Sequence, residues 1–583
     1  MTNAILVDNV LVDKTDHCTD GIVAVPYPSE FVERYRAAGY WRSRSLPDEI
    51  DASLRAHAER TALVTADVRW TYAELRQQIQ AFARGVLDAT DLKPGDPVMF
   101  QMGNVAETIV AYLGAVTAGL RPVCTLPQHG RREIGLLARH VGARGLFTQA
   151  DFGKGQLPDI ARSLLADGTV TTVVVARGGA LDGAAFDGAA NYDAIIERGR
   201  TSATEIEAAG IEAASDHESI AVFQLSGGTT GLPKVAPRLH EEYVYNSRVW
   251  GEVRGWSPET TVLYPLPIMH NAGIALALQP ALLHGATLVL AASADNGLLL
   301  DLIESEKPTT LPLVPPALAI RMLDDPRTRT VDLTCIEDYI VGGQRLPVEI
   351  SRRLRDELGI EVRQMFGMAE GMFMVTPAGA DEYTRFHTVG APISPADEVV
   401  IADPVTGEVL TGAAVGELCV RGPYTIRGYY RADEHNANAF TADGFYRTGD
   451  LSRRHLVGEH EYYSIDGRIK DVINRGVEKI HAEEVEELIV THPGVATVAV
   501  VAMPDAVLGE RACAYLVMEP GHAALTVATL AEHLTAQGLA KYKLPERVEA
   551  VDTLPLSNIG KVSKKALRED ITDKLRREHV AGA

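Results

Sequence analysis

The sequence predicts an α/β protein: a large N-terminal domain of parallel-type sheets with helices, a distorted β subdomain, and a small α+β C-terminal domain. Two observations lead to this prediction. Helical periodicity alternates with short apolar runs through most of the chain, and after about residue 395 the pattern changes to short strands and turns. A chain of 583 residues is too long for one hydrophobic core, so two or more domains are expected.

The large domain contains a clear amphipathic helix and several buried strands. The segment TYAELRQQIQAFARGVLDA places Leu75, Ile79, Phe82 and Val86 at helical spacing, with Thr71 as its N-cap. Strands are predicted in DPVMFQM, TVTTVVVA, ATLVLA, TTLPLVP and CIEDYIVGG, and a weaker one in RPVCTLP. Helices and buried strands that alternate in this way are typical of βαβ units and parallel sheets.

The rest of the chain differs in pattern from this core. Residues 1 to about 45 are expected to form an irregular N-terminal extension, and the large domain then covers 46–469. The segments EVVIAD, GELCVRG and EYYSIDG predict short strands. The small domain, 470–583, is predicted to hold a helix in HAEEVEELIVTHPGV and two strands around a Pro-Asp turn in VATVAVVAMPDAVLGERACAYLVM.

The composition narrows the partners and the compartment. A formal net charge of −22 argues against nucleic acid or an anionic membrane as the main partner. The five cysteines form no CxxC pair, so a reducing cytosol is expected, and with it a cytoplasmic location. The first residues carry acids where a signal peptide needs a basic region, and no run of about 18 apolar residues predicts a transmembrane helix. Monomer and homodimer both stay open.

The segment LSGGTTGLPK has the chemistry of a phosphate cradle. Glycines allow close backbone approach, successive N–H groups bind anions, and hydroxyls and a lysine add donors and charge. It does not fit the Walker A pattern, and the alternative is an ordinary surface loop. The candidate phosphate-binding residues are Ser226, Gly227, Gly228, Thr229, Thr230, Gly231 and Lys234.

Four further segments favour the phosphate-binding interpretation of LSGGTTGLPK over an ordinary surface loop. They are QMFGMAEG with Glu370, YRTGD with Asp450, GRIKDVINRGVEK, and SNIGKVSKKAL with Lys561. In this order, and over nearly the whole chain, they resemble the adenylate-forming superfamily. The segments YRAAGYW, FGMAEG, RGPYTIRGYY and NIGKVSKKALRE resemble its stand-alone aryl-acid–AMP ligases, such as 2,3-dihydroxybenzoate– and salicylate–AMP ligases. In such enzymes a small C-terminal domain rotates between two half-reactions.

The resemblance implies a reaction and a set of roles. An acid carboxylate would attack the α-phosphorus of ATP, with Mg²⁺ as cofactor, and positive charge must offset the repulsion between the two anions. Glu370 would bind Mg²⁺, Asp450 both ribose hydroxyls, and Lys561 the acyl carboxylate and the α-phosphate. Arg468 would lie near the ribose, Lys479 would support the nucleotide, and Lys470 would be the hinge. The region of the adenine and α-phosphate would comprise Gly343, Met365, Phe366, Gly367 and Ala369. The alternative for Lys561, Asp450 and Glu370 is a solvated or capping role.

The acid pocket is expected in PLPIMHNAGIALALQPALLHGA. His270, counted among the catalytic residues, and Asn271 match the aryl-acid pattern, although Asn271 could instead cap the following helix. Ala272 stands where dihydroxybenzoate enzymes have a large aromatic residue, and Leu276 where they have a serine that meets a ring hydroxyl. Gly342 and Gly367 complete the predicted lining. These departures predict another aromatic acid: an aminobenzoate, a hydroxyanthranilate-like acid or a heteroaromatic acid.

Val477 leaves the acceptor open. Relatives have glycine at this position, beside the tunnel through which a pantetheine thiol enters. A side chain there hinders thiol entry or is accommodated by a slight backbone shift. The acceptor is therefore a carrier protein or CoA thiol, as for salicylate or 2,3-dihydroxybenzoate ligases, or a small amine or hydroxyl that attacks the adenylate directly. A non-catalytic carrier or regulator on the same scaffold is the competing hypothesis, and Lys561, Glu370 and Asp450 argue against it.

Overall fold

Parallel strands dominate the first of two units into which residue contacts divide the chain. The computed structural model describes residues 4–7, 10–13, 24–153, 156–178, 188–202, 216–226, 233–475, 478–505, 508–537, 539–556 and 561–581. The first unit comprises Met1–Phe386, Gly390–Glu398 and Val420–Tyr446, and the second His387–Val389, Val399–Cys419 and Arg447–Ala583. The predicted domain boundary at residue 470 lies within the second unit and stays a prediction.

One seven-stranded sheet of the first unit is parallel except at one edge. Every neighbouring pair runs parallel except the one at the edge formed by Lys234–Leu239, which pairs antiparallel with Ile220–Ser226. In spatial order its strands are Lys234–Leu239, Ile220–Ser226, Arg121–Val123, Pro97–Gln101, Gly145–Gln149, Thr172–Ala176 and Ala189–Asn191. The three strands predicted in this region are confirmed.

A nine-stranded sheet forms the other half of the first unit. Its six central strands are mutually parallel, and antiparallel strands flank them at both edges. In spatial order its strands are Ala391–Pro392, Phe373–Val375, Val362–Gly367, Asp338–Val341, Thr310–Val314, Thr261–Tyr264, Thr287–Leu290, Thr61–Val64 and Arg69–Thr71. The carboxyl ends of the six central strands therefore meet at one edge.

Helices pack on these sheets, and the predicted amphipathic helix is among them. Thr71 caps the helix Tyr72–Ala89 through a reciprocal capping box with Glu74. All four residues predicted to face the core are buried. The helices are Ser29–Ala37, Leu46–Ala56, Tyr72–Ala89, Ala106–Thr117, Arg131–Val141, Leu157–Ala166, Tyr192–Thr201, His240–Arg254, Asn271–Gly273, the π-helix Ile274–Leu278, Gln279–Leu283, Asn296–Glu306, Pro316–Asp324, the 3₁₀ helix Pro326–Arg329, Val348–Leu358, Glu382–His387 and Asp433–Ala439.

Two smaller sheets account for most strands of the second unit. One contains Glu398–Ala402, Val415–Arg421, Tyr446–Val457 and His460–Arg468 in this order. The other contains Glu478–His481, Val472–Arg475, Gly509–Met518 and Val495–Asp505, with Arg547–Ala550 parallel to Gly509–Met518. The helices are Ala482–Ile489, Val527–Ala536 and Lys564–Ala581, with 3₁₀ turns at Ile469–Asp471 and Lys541–Lys543.

Two local predictions are wrong. The part of the first 45 residues that the structure describes is not wholly irregular, because Ala4–Val7 pairs with Val10–Asp13 and Ser29–Ala37 is a helix, whose Tyr35 is buried in the main core. The Pro-Asp pair is not the turn of the C-terminal hairpin. Pro504 and Asp505 still pair across the ladder, and Asp505 accepts a hydrogen bond from the Leu508 N–H at 2.8 Å, which places the turn after them.

Two absences apply to the described part of the chain. Its cysteines, Cys124, Cys335, Cys419 and Cys513, form no disulfide with one another. Among the described helices, none has both the length and the apolar character needed to cross a membrane.

Candidate active site

Three parallel strands bring many of the predicted site residues to one edge of the nine-stranded sheet. The strand Thr261–Tyr264 leads to His270 and Asn271. Two further parallel strands of this sheet, Asp338–Val341 and Val362–Gly367, lead to Gly342 and to the segment with Glu370. Ligands of open α/β sheets bind outside the carboxyl ends of the strands. The fold therefore brings the acid-pocket segment and the FGMAEG segment to the same edge.

Glu370 is buried and hydrogen-bonded to the hydroxyl of Tyr429. Only 4% of its surface is exposed, and one carboxylate oxygen accepts a short hydrogen bond from the Tyr429 hydroxyl, which lies 2.8 Å from the Tyr446 hydroxyl. The Glu370 carbonyl accepts from the Ile426 N–H at 2.8 Å. Burial and the nearby Glu370 charge raise the pKa of Tyr429, so Tyr429 stays a donor. Glu370 is thus a carboxyl group held in one position, and carboxylate oxygens are the type of ligand that Mg²⁺ prefers.

Lys234 supplies positive charge beside this carboxylate. Its Nζ lies 2.6 Å from Nε2 of His435 and 5.1 Å from the centre of the Tyr429 ring. Burial lowers the pKa of Lys234, and the charge of Glu370 opposes that shift. Burial and the charge of Lys234 lower the pKa of His435, which makes the imidazole an acceptor for the ammonium at neutral pH. The arrangement is a cation and an anion held close together, as binding of a metal-chelated phosphate requires.

The hydroxyl-rich loop is described only at its two ends. Ser226 and Lys234 face each other as the last register pair of the hairpin, and Ser226 is a further hydrogen-bond partner of Tyr429. The predicted phosphate-binding residues Gly227, Gly228, Thr229, Thr230 and Gly231 lie outside the described residues.

Asn271 does not cap a helix. His270 is the cap, because its Nδ1 accepts from the Ala272 N–H at 3.2 Å. Oδ1 of Asn271 accepts from the Tyr243 hydroxyl at 2.9 Å, and Nδ2 points toward the Met368 carbonyl at 3.4 Å. The capping alternative for Asn271 is therefore wrong. The structure gives His270 a backbone contact, and its catalytic role stays a prediction.

Glycines allow the close packing of this region. A Cβ on Gly342 would lie 2.5 Å from the Met365 Cγ, and one on Gly367 would lie 2.6 Å from the Phe373 ring. Gly343 has φ +84°, in the left-handed region. Phe366 lies partly exposed and Met365 is buried between these glycines. The predicted lining residues are thus neighbours in the fold, and their contacts with a nucleotide stay predictions.

Two predicted residues form an ion pair in the second unit. Nε of Arg468 lies 2.7 Å from Oδ1 of the buried Asp450. The turn before Asp450 is fixed by the Thr448 hydroxyl, which donates to the Leu418 carbonyl at 2.8 Å, and by the Gly449 N–H, which donates to Glu417. Asp450 is therefore a positioned carboxylate that can accept from two adjacent hydroxyls.

Lys561 lies close enough to this pair to sense its charges. Burial, followed by the charge of Arg468, lowers the pKa of Lys561 to about 8, and Asp450 opposes the shift. A buried ammonium with a depressed pKa gains stability when an anion arrives. Lys479 lies in the strand Glu478–His481, where its side chain is outside the described residues. Lys470 lies in the turn Ile469–Asp471, where burial and Arg468 lower its pKa. Its hinge role stays a prediction.

Sequence reasoning missed three contributors to this site: Tyr429, His435 and Arg238. Tyr429 lies in the segment RGPYTIRGYY, which carried the resemblance without a role for this tyrosine. In the sequence, His435 is a single histidine outside the motifs that carried the resemblance. Arg238 lies in the strand Lys234–Leu239 and Glu242 in the first turn of the following helix, so no regular helical spacing signals their ion pair.

Another group could hold a cation by spacing alone, but an arginine already occupies it. Among the described residues, His217, Glu218 and Glu241 offer ligand atoms within 4.8 Å of one another. The Arg36 guanidinium bonds to both glutamates, at 2.6 Å to Glu218 and at a shorter distance to Glu241. Glu370 is therefore the better candidate for a metal ligand.

Comparison with known proteins agrees with this geometry. The model of the AMP-binding enzyme family matches residues 50–430, and that of the AMP-binding enzyme C-terminal domain matches residues 484–561. Pyochelin synthase PchD of Pseudomonas aeruginosa is 41% identical over 561 residues, 96% of this chain and 98% of that protein. A salicylyl-CoA synthase / salicylate adenylyltransferase of a Streptomyces species is 39% identical, covering 94% and 98%. The apo structure of MbtA from Mycobacterium smegmatis has a TM-score of 0.70 at 35% identity, covering 94% and 98%.

Fold and site together define an adenylate-forming ligase, a protein that activates a carboxylic acid with ATP. The family match covers more than half of the chain, and the relatives span nearly all of it. The chain belongs to the AMP-binding enzyme family, and its relatives are aryl-acid adenylating enzymes.

Proposed function

We propose that this enzyme adenylates an aryl acid other than 2,3-dihydroxybenzoate and then transfers the acyl group to an acceptor. The observation that carries the substrate proposal is the apolar environment of Ala272 and Leu276. Leu276 is 1% exposed and lies in the π-helix Ile274–Leu278, a local form that is frequent at functional sites. Its carbonyl accepts from the Trp250 indole at 3.1 Å, and the Trp250 ring lies 5.9 Å from that of Phe373.

A ring hydroxyl of the substrate placed next to Leu276 would find no hydrogen-bonding side chain there. The side chains of leucine and alanine neither donate nor accept a hydrogen bond. A hydroxyl buried there unpaired costs about 1–3 kcal/mol, which corresponds to about 5- to 150-fold in kcat/KM. An ortho substituent can still meet the Asn271 amide. The candidates are therefore salicylate, an aminobenzoate or a heteroaromatic acid, and the relative named for salicylate supports the first.

The residues fit ATP with Mg²⁺, and each has a distinct task in this proposal. Glu370 and phosphate oxygens would hold the ion, which supplies charge neutralisation when bound. Lys234 and the loop after Ser226 would hold the outer phosphates, and Asp450 would orient the ribose. Lys561 would draw the acid carboxylate and the α-phosphate together. A carboxylate oxygen then forms a bond to the α-phosphorus while the bond to pyrophosphate breaks, and the ammonium offsets the charge that develops.

The acceptor proposal depends on Val477, which lies outside the described residues. The name of the salicylyl-CoA synthase supports a thiol acceptor, whereas a valine in place of glycine favours a small amine or hydroxyl. Purified enzyme with preformed aryl-adenylate should be offered CoA, a pantetheinylated carrier protein and a small amine in parallel. If thiol transfer is slow and Val477→Gly accelerates it, the valine hinders thiol entry. If the substitution changes nothing, the blockage is refuted.

The substrate proposal is tested by returning a hydroxyl to the pocket. In ATP–pyrophosphate exchange, Leu276→Ser should raise kcat/KM for 2,3-dihydroxybenzoate relative to salicylate by about 5- to 150-fold. Leu278→Ser is the matched control, since Leu278 is equally buried in the same π-helix. A wild-type preference for 2,3-dihydroxybenzoate, or the same gain in both variants, would refute the assignment of Leu276.

A further inference from the structure

A fully buried arginine outside the predicted site fastens the segment that carries Glu370. Arg238 and Glu242 have side-chain exposures of 0% and 1%, and two of their hydrogen bonds are 2.8 and 2.9 Å long. Arg238 also donates to the Ala369 carbonyl at 3.1 Å and to the Tyr424 carbonyl at 3.0 Å. Arg238 therefore links the backbone at Ala369, the residue before Glu370, to the backbone at Tyr424.

The same two backbone segments meet again next to Arg238. The Ile426 N–H donates to the Glu370 carbonyl at 2.8 Å. Gly371 has φ +110°, and a Cβ there would lie 2.0 Å from the Tyr424 carbonyl oxygen, so the two segments pack as closely as glycine permits. Arg238 bonds to both of these backbone segments, so the position of the Glu370 carboxylate depends on its contacts.

The arginine is also linked to the acid side of the site. Its guanidinium lies 4.5 Å from the centre of the Tyr243 ring, and the Tyr243 hydroxyl donates to Asn271 while accepting from Gln224 at 3.0 Å. Tyr243 and Glu242 both lie in the first turns of the helix His240–Arg254. One helix start thus supports the metal-side carboxylate and the acid-side amide.

We propose that Arg238, held by Glu242, is a positioning residue for Glu370, and that Tyr243 is the corresponding positioning residue for Asn271. This inference rests on the proposed roles of Glu370 and Asn271. A buried ion pair is weak evidence of stabilisation, because the cost of desolvating both charges offsets their attraction. Its geometric function accounts for the pair better: a guanidinium reaches a carboxylate and two carbonyls at once, which a lysine cannot do.

A more exposed ion pair further along the helix provides a control. Arg248 and Glu252 form another i,i+4 pair at 3.1 Å, and Arg248 also lies over a tyrosine, at 5.4 Å from Tyr245. The test compares Arg238→Met/Glu242→Leu with Arg248→Met/Glu252→Leu, which removes both charges each time. Loss of a residue that orients a metal ligand typically weakens metal affinity about 10- to 100-fold. The Mg²⁺ concentration for half-maximal exchange should rise by that factor in the first variant and stay within about twofold in the control.

Further variants keep the result decisive. Arg238→Lys retains the charge but cannot reach the carboxylate and both carbonyls at once, so it should shift the Mg²⁺ dependence in the same direction. Tyr243→Phe should raise KM for the acid and leave the Mg²⁺ dependence unchanged. An unchanged Mg²⁺ dependence in both folded Arg238 variants would overturn the inference. If Glu370→Gln itself leaves the Mg²⁺ dependence unchanged, the proposed role of Glu370 fails instead, so the two failures are distinguishable.

Discussion

The depressed pKa of Lys561 predicts an alkaline limb in the rate of adenylation. Burial and the charge of Arg468 bring the pKa of this lysine to about 8. Because kcat/KM reports the free enzyme, the pKa of the ligand-free protein is the relevant one. The ammonium is the form that attracts the carboxylate and the α-phosphate, so deprotonation removes the charge that the reaction needs.

The magnitude follows from this value. About nine-tenths of the enzyme carries the ammonium at pH 7 and about one-tenth at pH 9. We therefore expect kcat/KM for ATP to fall about tenfold for each pH unit well above 8. In the ternary complex two anions favour the charged lysine, so the limb in kcat should lie at higher pH. Lys561→Ala should lower the rate by about 10²- to 10³-fold without unfolding the protein.

The assay is initial-rate ATP–pyrophosphate exchange between pH 6.5 and about 10. Lys561→Arg should be slower but should lack the limb, because arginine stays protonated throughout this range. Lys564→Arg is the control. Lys564 is also largely buried, but its bonds to Glu486 at 2.8 Å and Glu483 at 3.3 Å raise its pKa. If kcat/KM of the wild type stays constant up to about pH 9.5, or if Lys561→Arg keeps the same alkaline limb, the limb cannot be assigned to deprotonation of Lys561.

Three further predictions concern other parts of the chain. Asp450→Asn should raise KM for ATP about tenfold or more, with little effect on KM for the acid, in steady-state kinetics; equal effects on both would contradict the ribose role. Glu370→Gln should raise the Mg²⁺ requirement about 10- to 100-fold in a metal titration, and an unchanged titration argues against it as a ligand. Thr71→Ala should lower the free energy of unfolding by about 1 kcal/mol by urea denaturation while leaving exchange intact; loss of activity at equal folding would contradict a purely capping role.

The large-domain architecture was predictable because its signals are local. Alternating helical and strand periods predict βαβ units, and the parallel sheets follow from that alternation. The capping box of Thr71 and Glu74 is likewise written into four consecutive residues. The helix Ser29–Ala37 was missed because its apolar residues are few and pack as single aromatic anchors. The turn of the C-terminal hairpin was predicted at the Pro-Asp pair, whereas Pro504 belongs to the strand and Asp505 starts the turn.

The candidate site was predictable only where a motif carried it. Glu370, Asp450 and Lys561 each stand in a short segment whose order along the chain supports the resemblance. Arg238 acts through a contact with Ala369, which lies 131 positions away in the sequence. His435 acts through a contact with Lys234, which lies 201 positions away. No local pattern encodes such pairings, since they arise only when separate strand ends converge. The capping alternative for Asn271 could not be settled from sequence, because His270 next to it can also cap.

The most direct test of the account is acid-dependent ATP–pyrophosphate exchange across benzoic, hydroxybenzoic, aminobenzoic and heteroaromatic acids. We expect exchange with salicylate, an aminobenzoate or a heteroaromatic acid at a kcat/KM above that for 2,3-dihydroxybenzoate. Exchange that is strongest with 2,3-dihydroxybenzoate would contradict the substrate assignment built on Ala272 and Leu276. Absence of exchange with every aryl acid, from folded protein with Mg²⁺ present, would contradict the central claim that this chain activates an aryl acid.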